Sequence, residues 1–97
     1  MPMYVNTQKT IFDKTPLTPR TVTISRDGMR AASNNYNLLN RIVIWDAKSK
    51  EHTHALEGGH GGEAVISVCF SDDGERVASG GEDGRVVIWN ALSGEQV

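Results

Sequence analysis

His60, Ser79 and Asp83 are the residue types of a nucleophilic triad, in which a carboxylate orients an imidazole that takes the proton of a hydroxyl. Their setting speaks against that chemistry. No G-x-S-x-G elbow surrounds any serine, and Ser79 falls inside the predicted strand RVAS at 76–79, where a substrate carbonyl could not approach it. Gly58, Gly59, Gly61 and Gly62 flank His60 as a phosphate-cradling loop would, but neither a Walker lysine nor a following helix is present, and the run reads as a flexible turn. His52 and His54 share one face of a predicted strand and could host a metal; no third ligand is fixed nearby, so a solvated outer strand is the reading. Asp72-Asp73-Gly74 lacks the alternating acids and terminal Glu of a calcium loop and reads as a turn. Cys69 is the single cysteine, which rules out an internal disulfide, favours a reducing compartment and fits a small core residue better than a reactive thiol. No catalytic residue, metal site or cofactor is expected.

The elements that would position these residues form a repeated unit: Ile24 to Asp46 can be laid over Phe70 to Asn90. Each copy opens with an extended run, TVTIS at 21–25 and AVISVCFS at 64–71, rich in the β-branched residues that suit strands. Asp27-Gly28 and Asp73-Gly74 then supply a turn, because both residue types tolerate the positive φ of tight hairpins. Second strands follow, RAAS at 30–33 and RVAS at 76–79, and after a further turn the near-identical RIVIW at 41–45 and RVVIW at 85–89. Trp45 and Trp89 are 44 residues apart, a period of one propeller blade and too long for tetratricopeptide or leucine-rich units. A fourth strand per unit is fainter, at EHTHALE (51–57) and TQKTIFD (7–13), and the final EQV would begin another. No segment sustains a 3.6-residue apolar period, so the chain should be all-β and antiparallel with next to no helix. The near-continuous apolar runs AVISVCF and RVVIW imply strands covered on both faces.

Gly59-His60, the turn Asp83-Gly84 and Trp89-Asn90, together with the literal Trp45-Asp46, resemble the WD40 repeat signature. The resemblance covers residues from about 21 to the C-terminus, and weakly 7–20. It implies an incomplete WD40-type β-propeller of about two four-stranded blades: an N-terminal segment, 1–20, with an outer strand, a degenerate repeat at 21–57 and a second repeat at 58–97 whose last strand is cut short. The family's structural tetrad carries over onto His60, Ser79, Asp83 and Trp89, whose polar groups would satisfy one another in a hydrogen-bonded chain. In the first copy Ser33 and Trp45 match, but Lys14 or Thr15 stands in the place of the His. The turn that should carry the Asp is NNYNLLN, two residues longer than its counterpart, so no tetrad is expected there and that blade should be less rigid, its loop more exposed. The resemblance also implies partner-binding residues at the start of the innermost strand and before the turn Asp. These are Ala64, Ile66 and Glu82, with Thr18 and Arg20 as weaker first-copy equivalents. Ile66 could instead be core, since its whole strand is apolar.

Composition narrows the function to binding. Ninety-seven residues hold one small domain at most. Ten Lys plus Arg against twelve Asp plus Glu, a formal charge of −2, make no electrostatic footprint for nucleic acid or an anionic membrane. No signal peptide or membrane span is visible in the sequence, which points to the cytoplasm or nucleocytoplasm. The expected role is a non-catalytic scaffold for other proteins or peptides, because propellers present loop-rich faces around a rigid core. The alternatives are the WD-repeat portion of a larger enzyme or signalling ATPase, or a short chain that assembles with itself into a closed ring. Propellers close with about four to eight blades, so two blades must find further ones, from a longer chain, identical copies or another protein. That the chain ends as another strand should begin points to sequence beyond Val97.

Overall fold

The computed structural model describes residues 19–35, 41–49 and 52–97, which form seven strands in two antiparallel sheets. The expected strand at 7–13 and the positions Lys14, Thr15 and Thr18 lie outside the described residues. The first sheet runs β1 (Pro19–Ile24), β2 (Arg30–Asn35), β3 (Arg41–Asp46) and β4 (His52–Glu57), paired in sequence order. The second runs β5 (Val65–Phe70), β6 (Arg76–Gly81) and β7 (Val86–Asn90). Gln96 pairs with Trp89 in an isolated bridge and the Val97 N–H donates to the Ile88 carbonyl at 2.8 Å, so the last residues add a fragment of a fourth strand. The described residues are all-β, without helix.

The two sheets repeat each other down to their turns. Between β1 and β2 the Ser25 hydroxyl donates to Asp27 Oδ1 at 2.7 Å, and the Arg30 N–H donates back to that hydroxyl at 3.1 Å. Between β5 and β6, Ser71 and Asp73 are 2.6 Å apart and the Arg76 N–H reaches Ser71 at 3.1 Å. Gly28 and Gly74 take φ of 74° and 73°, a left-handed conformation that an L side chain resists. After β3 and β7, Asp46 and Asn90 each accept two backbone N–H bonds in the following turn, and so terminate the strand by the same device.

One core joins the sheets. Ala32, Ile42 and Ile44 of the first pack with Val65, Phe70, Val77, Val87 and Trp89 of the second. Four consecutive β3 residues, Ile42 to Trp45, are buried, as a strand covered on both faces requires. RVVIW and AVISVCF do not follow that expectation. In β7 only Val87 and Trp89 are buried while Val86 and Ile88 are exposed, and in β5 Ile66, Ser67 and Cys69 are exposed between buried Val65 and Phe70. The first sheet covers one face of the second and leaves these side chains of the other to solvent, so the apolar run is half used. Cys69, expected in the core, is exposed for the same reason.

Candidate functional site

The site is built where the β4–β5 connection crosses the second sheet. β6 presents Ser79, β7 presents Trp89, the β6–β7 turn carries Asp83, and the connection lays His60 over all three. His60 Nδ1 lies 2.9 Å from Asp83 Oδ1, His60 Nε2 lies 2.8 Å from Ser79 Oγ, and Trp89 Nε1 donates to Ser79 Oγ at 2.9 Å. The partners assign the protons. A carboxylate only accepts, so Nδ1 carries the imidazole hydrogen. In the tautomer protonated at Nδ1 alone, Nε2 accepts from the Ser79 hydroxyl, which in turn accepts from the indole. In that tautomer the hydrogen bonds run in one direction from Trp89 through Ser79 to His60, and from His60 to Asp83. The His60 bond, aided by the Arg85 N–H, holds the Asp83 carboxyl below the ordinary aspartate range despite the opposing effect of burial.

This is also the bonding order of a hydrolase triad, and burial decides what it can do. Ser79 and His60 are 1% and 2% exposed, and the serine oxygen already receives the indole N–H. A nucleophile needs its oxygen open to a carbonyl. Here the hydroxyl is walled in by its own strand and by Trp89, so the network ties the β6–β7 turn and the β4–β5 connection to the sheet.

Two glycines make the packing possible. A β-carbon on Gly59 would lie 2.5 Å from Cζ2 of Trp89, and one on Gly81 would lie 2.4 Å from His60 Nδ1. Gly59 and His60 are buried, so this part of the glycine run is a packed lid on the tryptophan, where a flexible turn was expected. The signal was available in outline, since glycine inside a strand marks a close approach and Gly81 ends β6.

In the first sheet Trp45 Nε1 donates to Ser33 Oγ at 3.1 Å. Asn34 and Asn35 stand where the second sheet has Gly80 and Gly81, and both are fully buried, against the expectation of an exposed loop; residues 36–40 of that loop lie outside the described residues. Asn34 accepts from the N–H and hydroxyl of Thr21 at 2.8 and 2.6 Å and donates to the Val65 carbonyl at 2.7 Å, a bond from one sheet to the other. The sequence reading missed it. Among the described residues Asn35 has no hydrogen-bond partner for either amide atom.

Of the residues expected to meet a partner, Glu82 and Arg20 are exposed, Ala64 is partly buried and Ile66 is 46% exposed, so its side chain is not core. The Glu82 N–H donates to the Ala64 carbonyl at 2.9 Å, which brings these two positions side by side. Thr18 lies outside the described residues. His54 Nε2 lies 2.8 Å from the Leu92 carbonyl and its ring packs against Gly94, so it fastens β4 to the turn after β7. No cluster of three metal-ligating side chains occurs among the described residues.

Residues 50–90 match the family described as WD domain, G-beta repeat. That stretch spans β4 to β7, so one sequence repeat takes its first strand from one sheet and the rest from the next. The chain is 38% identical over 56 residues to Periodic tryptophan protein 2 homolog of Dictyostelium discoideum, covering 58% of the chain and 6% of the relative. It is 49% identical over 56 residues to Vegetative incompatibility protein HET-E-1 of Podospora anserina, covering 58% of the chain and 4% of that protein. It is 34% identical over 68 residues to U3 snoRNP-associated protein-like EMB2271 of Arabidopsis thaliana, covering 70% and 13%. The chain therefore spans a small fraction of the length of the curated relatives it matches.

Proposed function

Because the chain carries a WD40-family repeat, we propose that it is a non-catalytic scaffold that binds other proteins or peptides, with two blades, 21–57 and 58–97, preceded by an N-terminal segment, 1–20. The observation that carries this reading is the exposed Ile66 at the start of β5, with Ala64 and Glu82 joined beside it. An apolar side chain in solvent next to an acid fits a peptide with one apolar anchor and a flanking positive charge. Arg20, on β1 of the neighbouring blade, would meet an acidic flank. The inward network of His60, Ser79, Asp83 and Trp89 is the structural part of this reading: it holds the β6–β7 turn, and so Glu82, in place. Cytoplasmic or nucleocytoplasmic residence belongs to the same proposal, and a relative named for a U3 snoRNP is compatible with it.

The test is selection of peptides from a displayed library on the folded chain, followed by titration of the selected peptides against Ile66→Asp and Glu82→Arg. Both variants change exposed side chains and should keep the fold. Loss of binding in each supports the face; unchanged binding in both means the face is wrongly assigned.

A further inference from the structure

Ser33 pairs with Val43 across the first sheet as Ser79 pairs with Val87 across the second, so Asn35 corresponds to Gly81 and Trp45 to Trp89. In the second sheet a β-carbon on Gly81 would lie 2.4 Å from His60 Nδ1 and 2.9 Å from its Cγ. Asn35 carries that β-carbon. Its own side chain therefore stands where the ring would be, and no imidazole can lie over Ser33 as His60 lies over Ser79. Ser33 and Asn35 are two residues apart on β2, so they share one face of the sheet with their backbones about 7 Å apart. Both are fully buried. Ser33 Oγ accepts from Trp45 Nε1 at 3.1 Å, as Ser79 accepts from Trp89. The Ser79 hydroxyl then has His60 Nε2 at 2.8 Å, whereas the Ser33 hydroxyl hydrogen has no acceptor among the described residues. Neither amide atom of Asn35 has a partner among them either. One buried face thus holds an unmet hydroxyl donor beside an unmet amide. Buried polar groups left so are costly, and an ordered water with about three polar partners is the usual means of meeting them.

We propose that Ser33 and Asn35 form a binding site for one buried water, seated where Nε2 of His60 sits in the second sheet. The water accepts the Ser33 hydroxyl hydrogen and donates one of its own to Asn35 Oδ1. Hydrogen bonds then run from Trp45 through Ser33 and the water to Asn35, the same direction as from Trp89 through Ser79 and His60 to Asp83. A water with its two donors and two acceptors can replace a ring that accepts at one nitrogen and donates at the other. Asn35 is then the positioning residue of the first blade, in the role that Asp83 has in the second. The site does not rest on the peptide-binding face.

Water-to-protein cross-relaxation in NMR of the intact, isotope-labelled chain reads the outcome. The Asn35 side-chain amide is assigned from the wild type, so the test does not depend on any variant folding. Its hydrogens should show dipolar cross-peaks to a long-lived water, of the sign that separates contact from chemical exchange. Ser33→Ala removes one of the two partners and should weaken those cross-peaks several-fold. Asn35→Leu keeps the volume and removes the polar atoms. Its denaturation midpoint should fall, because the Ser33 hydroxyl is stranded with the water gone; for an amide that has no partner the same change would raise the midpoint. The proposal is overturned by a wild-type Asn35 amide without water cross-peaks, by cross-peaks that instead show another side chain of the protein seated on it, by a signal unchanged in Ser33→Ala, or by a raised midpoint in Asn35→Leu.

Discussion

Gly81 runs so close beneath the His60 imidazole that a β-carbon on it would lie 2.4 Å from Nδ1 and 2.8 Å from Asp83 Oδ1. Both obstacles belong to hydrogen-bonded groups, so neither gives way without breaking the His60–Asp83 bond. Gly81→Ala is expected to destabilise the fold by about 1–3 kcal/mol, the range for overpacking a tight site. In a His60→Ala background the same change should cost less, because the nearer of the two obstacles is gone and Asp83 is no longer held by the imidazole. Denaturant titration of the two single variants and the double variant checks the coupling; additive losses would show that the clash lies elsewhere.

Trp89→Phe keeps most of the ring and removes the N–H that engages Ser79 at 2.9 Å. The expected loss is about 1–3 kcal/mol, as for a buried hydrogen bond whose partner is left stranded. Trp45→Phe should cost less, since among the described residues Ser33 passes the bond on to no imidazole and carboxylate as Ser79 does. Equal losses in the two variants would sink the asymmetry.

Asn34→Ala removes the donor to the Val65 carbonyl and the acceptor of two bonds from Thr21. A loss of about 1–3 kcal/mol is expected. Hydrogen exchange should show the faster opening at β1 and β5 together, because the side chain bridges the sheets; opening confined to β1 would contradict that.

The Asp83 carboxyl is held below its ordinary range, first by the His60 hydrogen bond. A carboxylate with a depressed folded-state pKa adds stability that is fully present above its unfolded value, about 3.9, and is lost as pH falls through the folded one. Asp27, Asp46 and Asp73 act in the same direction, each through a turn hydrogen bond. Stability should therefore fall from about pH 4 downward. Asp83→Asn should be less stable near neutrality and lose less on acidification. A variant with the wild-type acid slope would remove Asp83 from this account.

Strand order and turn chemistry were legible because they are local. Alternation of β-branched runs with Asp-Gly pairs depends on backbone preferences within a few residues, and β2, β3, β5 and β6 fall close to the runs that carried them. His60, Ser79, Asp83 and Trp89 came from resemblance, and only coordinates show their directions, distances and burial. The role of Gly59 was hidden for a physical reason: a missing β-carbon has no pattern of its own until the group that occupies its space is known.

By itself the sequence determined the repeat, the all-β class and the turn residues, since each rests on the period of side chains along the chain or on the φ a residue can adopt. Tertiary structure alone decided which apolar strands are buried. RIVIW and RVVIW differ by one residue, yet Ile42 is fully buried and Val86 is 74% exposed. The hydrophobic effect acts on area removed from water, and that area is set by what packs against a strand, which the strand's own residues do not encode.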